Sequence, residues 1–155
     1  MHLDHPVGLH EACHRLSPIH PDYATLPIQH AFNWTSCLSG VPFDRLYLVV
    51  FRSVRRAAAD LDLLREHDDL AYADALEAGG LLCYFKGEMN ERRECLSFCL
   101  WESRQQAQRA ASCASHAAAM RITARFYESY RLERYYVVRA AAREQDVVFR
   151  RIEEG

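Results

Sequence analysis

Two histidines, His67 and His116, fall in the regular, periodic part of this chain. His67 lies between Leu64 and Ala71 at helical spacing, so it rides on the apolar stripe of a helix. An imidazole titrates near neutrality, and inside a pocket it can act as a general base. Asp68 and Asp69 beside it either orient that ring or face water. His116 sits among alanines, whose small side chains leave room for a ligand cavity or allow close helix–sheet packing. Tyr84 is of a type that hydrogen-bonds a phenolate or carbonyl. Lys86 or Arg52 would stabilise an enolate-like anion. The competing reading of Tyr84, Lys86 and Glu88 is a strand edge carrying solubilising charge.

A second constellation lies near the start of the chain. His10-Glu11-Ala12-Cys13-His14 matches H-E-x-x-H, and His20 follows six residues later. On a helix, histidines at i and i+4 share a face and can bind zinc, with the glutamate as general base. Ser17 stands where the extended pattern has a turn glycine, and Pro18 ends the helix. His10, His14 and His20 are therefore the candidate metal ligands, set against a solvated arm that matches the pattern by coincidence.

These residues need elements to hold them. Residues 1–45 contain six of the eight histidines and all five prolines, a density that breaks long helices and central strands. They read as an irregular N-terminal arm with a short helix near Leu9 to Leu16, anchored by Phe32, Trp34 and Leu38. Residues 46–139 read as the core domain. Leu46 to Phe51 is a buried strand, Arg55 to Ala78 a helix ended by Gly79-Gly80, and Leu81 to Met89 a second strand. Asn90 to Arg92 turns the chain into a third strand, Glu94 to Glu102. Ser103 and Gln106 form a capping box for an alanine-rich helix running to about Tyr127. Ser129 to Val138 is the last strand, and residues 140–155 are a charged tail, helical or frayed.

The order β-α-β-β-α-β is the ferredoxin-like arrangement of an α+β domain, with helices on one face of the sheet. A water-facing second face would alternate toward polar residues. Strand three instead offers Cys95, Cys99 and Trp101 on one side and Leu96, Phe98 and Leu100 on the other. Something must cover the second face, and an identical sheet is the simplest partner, giving a homodimer.

The run from Cys95 to Ser103, C-L-S-F-C-L-W-E-S, resembles the strand-to-helix junction of the antibiotic-biosynthesis-monooxygenase-like superfamily. Leu132-Glu133-Arg134-Tyr135 resembles its closing strand. The resemblance spans about Leu46 to Arg139. It implies a dimeric α+β barrel with a site between sheet and helices. It also implies small-molecule chemistry: cofactor-independent monooxygenation of aromatic polyketides, haem degradation, isomerisation or cyclisation. Trp101 matches a pocket-lining tryptophan of the polyketide monooxygenases. Ser97 stands where they have asparagine, and Ala107 where they have tyrosine. Phe51 and Arg52 stand where the haem-degrading branch has a strand-one asparagine. The expected substrate contacts are thus Trp101, Ser97, Cys99, Phe51 and Tyr127, and the expected catalytic groups His67, His116, Tyr84 and Arg52.

Bulk properties narrow the classes. The 155 residues are half apolar, enough for a core without staples. The net charge of −2 and the lack of a basic block argue against nucleic acid. No stretch reaches the length of a membrane span, and the first residues do not resemble a signal peptide. The six cysteines include no C-x-x-C pair and read as reduced thiols, so a cytoplasmic location is expected. The function expected is that of a small tailoring enzyme for an aromatic or polyketide-like molecule, working without a cofactor. The alternatives are a cyclase or dehydratase, a ligand-binding or stress-response module without catalysis, and a zinc or haem protein.

Overall fold

The computed structural model describes residues 5–112, 123–139 and 147–153. In chain order, α1 (His5–His14), α2 (Ile28–Ala31) and α3 (Trp34–Leu38) lead into β1 (Arg45–Arg55) and α4 (Leu61–Ala78). They are followed by β2 (Leu81–Lys86), β3 (Glu94–Trp101), α5 (Arg104–Ala111), α6 (Thr123–Phe126), β4 (Tyr127–Arg139) and β5 (Val147–Arg151). The strands form one antiparallel sheet in the order β2-β3-β1-β4-β5. The first four strands with α4 and α5 give the ferredoxin-like core expected from the sequence. The sheet is open and does not close into a barrel within the chain.

Local chemistry sets the boundaries. Asp60 caps α4 by accepting a 3.0 Å hydrogen bond from the Leu63 amide. The helix therefore starts at Leu61 rather than Arg55, and β1 runs on through Arg55. Gly79 and Gly80, at φ +83° and +85°, end it in a backbone region open to glycine. Ser103 accepts from the Gln106 amide at 3.2 Å, the cap expected for α5. β2 stops at Lys86, short of Met89. The charged tail supplies a strand rather than a helix: β5 pairs with β4 from Val138↔Val148 to Tyr135↔Arg151.

The two-residue period of the strands divides the sheet. Leu46, Leu48, Val50, Leu96, Phe98, Leu100 and Val137 face one side, which is packed by the N-terminal arm. Trp34, Ile28 and Leu38 are fully buried there, and such side chains contribute about 1.5–3 kcal/mol apiece. Phe32 stands edge-on to both Phe85 and Phe98, and Trp34 meets Phe98 and Phe149. The Trp34 indole donates to the Ile28 carbonyl at 2.8 Å. This corrects the sequence argument for a second copy. The second apolar face does need a cover, but the arm of the same chain supplies it. The prolines suggest irregularity, and α2 and α3 are indeed short, at four and five residues. The arm is nevertheless an ordered layer sharing one core with the sheet.

Candidate active site

The other face of the sheet, with α4 and α5 above it, encloses a cavity of about 500 Å³. That volume lies within the range of small-molecule sites. Its floor comes from alternate strand residues, among them Tyr47, Val49 and Phe51 on β1 and Ser97, Cys99 and Trp101 on β3. Two irregularities adjust the alternation. Between Leu81 and Cys83, β2 carries an extra residue, so Leu81 and Tyr84 both face the cavity. At Val54/Arg55 the register with β4 shifts, so Tyr127 and Tyr130 both do, with ring centroids 5.3 Å apart.

Most of the expected site residues meet here. His67, Tyr84, Trp101, Ser97, Cys99, Phe51 and Tyr127 all line this one cavity. Trp101 is buried with Tyr47, Ala75, Leu81, Ala107 and Ala110 at one end. Asp68 turns to Lys86, 3.6 Å away, and so is not committed to orienting His67. His116 lies outside the described residues.

Arg52 does not join them. It points to the opposite face, where its Nε donates to Glu133 at 2.8 Å. Its two terminal nitrogens donate to the Ala24 and Leu26 carbonyls at 3.0 and 2.8 Å. Tyr135 also donates to Glu133, at 2.9 Å. Even-numbered positions of β1 face the arm, and parity alone excludes Arg52 from the cavity. Arg55 lines the cavity instead, a position hidden from the sequence reading because that reading places Arg55 in a helix. Extending the alternation of Tyr47, Val49 and Phe51 through Ser53 would have found it.

The metal constellation does not assemble. His10 and His14 are exposed on α1 with ring centroids 5.9 Å apart, the spacing expected at i and i+4. Among the described residues no group of three His, Cys, Asp or Glu is placed to hold a metal ion, so His20 does not complete the pair. The apolar residues of α1, Leu9, Ala12 and Cys13, join the core shared with the sheet, which accounts for the helix structurally.

Burial governs the acid–base state of the cavity. It pushes the Tyr84 phenol well up, and the nearby Asp68 carboxylate adds to that. Burial likewise pushes Tyr127 up to about 12 and raises Tyr130. The thiol of Cys99 is pushed up to about 12 and that of Cys95 is raised, burial being the main cause in both. Near neutral pH these groups stay protonated. The phenols are hydrogen-bond donors rather than bases, and the thiols are not activated nucleophiles. Burial also raises Asp68, against the opposing pull of Lys86 and Arg55.

Solved structures share this fold. A candidate antibiotic biosynthesis monooxygenase from Nitrosomonas europaea aligns over 58% of this chain and 88% of its own, at 10% identity and a TM-score of 0.50. Rv0793 from Mycobacterium tuberculosis aligns over 57% and 91%, at 16% identity and 0.50. PA3566 from Pseudomonas aeruginosa aligns over 64% and 99%, at 12% identity and 0.52. Nearly all of each of those chains is accounted for, but at most 64% of this one, so this chain adds a substantial part to the shared fold. That fold is the one the strand-to-helix junction at Trp101 resembled. A search of curated proteins found no significant match. A family model matches residues 2–151, almost the full length, and the chain belongs to the PB2B2.08-like family.

Proposed function

We propose that the cavity binds a flat aromatic or polyketide-like molecule and that the protein oxygenates it without a cofactor. The supporting observation is that His67, Tyr84 and Trp101 line one cavity of suitable size, with aromatic walls. In this reading His67 removes a proton from an acidic C–H of the substrate. Tyr84, held protonated, donates a hydrogen bond to the enolate or phenolate oxygen that results. Trp101 stacks against the ring system. The carbanion gives its electrons to dioxygen, and the peroxide formed at that carbon loses water to leave a carbonyl. One oxygen atom enters the product and the other leaves as water. The substrate itself is the reductant, so no cofactor is required.

A small-molecule ligand is thus the principal partner. The second copy expected from the sequence has lost its physical reason at the sheet face, and we propose that the arm stands in for it. Among the described residues no helix is long and apolar enough to cross a membrane. A reducing, cytoplasmic location fits the free thiols of Cys13, Cys37, Cys83, Cys95 and Cys99.

The test is oxygen uptake with a panel of tricyclic anthrone-type compounds, alongside binding followed by tryptophan fluorescence. One dioxygen consumed per substrate is expected. His67→Ala is expected to lower turnover by about 10²–10⁴-fold while keeping binding. Trp101→Phe is expected to remove the fluorescence response. Substrate conversion without oxygen uptake would favour a cyclase or dehydratase using the same base. Binding with no turnover at all would reduce the protein to a ligand carrier.

A further inference from the structure

Pairing across the sheet arranges the cavity floor in rows. Leu81, Trp101 and Tyr47 form the row at one end. Lys86, Ser97 and Phe51 form another, four residues along β3 and so about 14 Å away at strand spacing. Arg55 and Tyr127 pair beyond it. The first row is aromatic and apolar, whereas the far rows carry charge. Among the described residues lining the far end, Arg55 and Lys86 are cationic and Asp68 is the one carboxylate, whereas Arg104 sits over the Tyr47 ring at the other end and Arg134 lies opposite Val49.

Asp68 is shared. It pairs with Lys86 at 3.6 Å and lies in the field of Arg55 as well. Arg55 donates to the Cys95 sulfur at 3.8 Å, a weak acceptor, and its Nε is buried with no hydrogen-bond partner among the described residues. A buried donor without an acceptor is costly. An excess of cations over carboxylates in a low-dielectric cleft also draws anions.

We infer that the ligand is an aromatic acid, its rings toward Trp101 and its carboxylate at the Arg55–Lys86 end. This rests on the reading of the cavity as the ligand site and adds the charge and direction of what it holds. Binding one way round would present one edge of the ring system to His67 and Tyr84, which a purely apolar slot cannot do.

Two probes, 2-anthracenecarboxylate and 2-anthracenecarboxamide, differ in charge and hardly in shape. Their affinities would be measured by quenching of the Trp101 fluorescence. The acid is expected to bind at least about tenfold more tightly than the amide, with a preference that shrinks at high salt. Arg55→Gln and Lys86→Met are each expected to bring the ratio toward one while leaving the amide's affinity in place. Lys86 is exposed at the end of an edge strand, so its variant tests the idea even if Arg55→Gln folds poorly. Equal binding of the two probes by the unaltered protein, or an acid preference that survives in Lys86→Met and in any folded Arg55→Gln, would overturn the inference alone. Quenching by neither probe would overturn it together with the ligand-site reading.

Discussion

Arg52 and Arg55 lie three residues apart on one strand and serve opposite faces of the sheet. Arg55 looks into the cavity, whereas Arg52 is buried against the arm with Glu133 as its counter-ion. Removing Arg52 leaves the buried Glu133 carboxylate with only the Tyr135 hydroxyl and the more exposed Arg131, 3.5 Å away, to compensate it. Arg52→Met is therefore expected to destabilise the fold by about 3–5 kcal/mol in urea denaturation, with no direct effect on the cavity. Burial disfavours the ionised Glu133. The hydrogen bonds from Arg52 and Tyr135 and the guanidinium charge outweigh that and hold its carboxyl below the usual value. A depressed carboxyl stabilises the fold above its unfolded pKa and loses that contribution as the pH falls through the folded one. Stability is thus expected to drop as the pH is lowered beneath the ordinary glutamate value. This acid loss should be smaller in the Arg52→Met variant, and melting temperatures across that range would check it.

At the scale of elements, the joint between β2 and β3 matters most for the cavity. Gly87, next after β2, approaches β3 so closely that a Cβ there would overlap the Leu96 carbonyl oxygen. The Gly87 amide also donates to the Ser97 hydroxyl at 3.4 Å, and its carbonyl accepts from the Cys95 thiol at 3.3 Å. Gly87→Ala is expected to push the two strands apart where Lys86 and Ser97 meet. A cost of about 1–3 kcal/mol follows, and weaker ligand binding with it, measurable by denaturation and fluorescence titration. Period and parity in the sequence were enough to sort β1 and β3 into faces, and Ser103 and Gln106 announced the start of α5. The bulge at Leu81/Cys83 and the register shift at Val54/Arg55 left no such mark. Both depend on the partner strand, so the pairing of Tyr127 with Tyr130 on the cavity face emerged only in three dimensions. The H-E-x-x-H string shows the converse. Its residues do form a helix, but its apolar members pin α1 to the sheet and its histidines face outward.

For the whole molecule, the arm changes what the sheet can do. A ferredoxin-like sheet with one uncovered apolar face needs a second copy, whereas this chain lays α1 to α3 across that face. The 155-residue chain is expected to run as a single copy by light scattering. Trp34→Glu, which puts a charge where the indole is 2% exposed, should loosen the arm and cause concentration-dependent association. A stable dimer of the unaltered protein whose interface buries Leu48 and Phe98 would refute this arrangement. The sequence by itself determined the α+β class, the order of the first four strands, the two apolar faces and the candidates His67 and Tyr84, while Trp101 came from the family resemblance. The strands, helices and faces follow from periods of 2 and 3.6, which are local. Only the tertiary structure decided that the arm rather than a copy covers the far face, and that Arg55 rather than Arg52 enters the cavity. Both depend on which distant segment meets which side of the sheet, and an apolar face does not encode what will cover it.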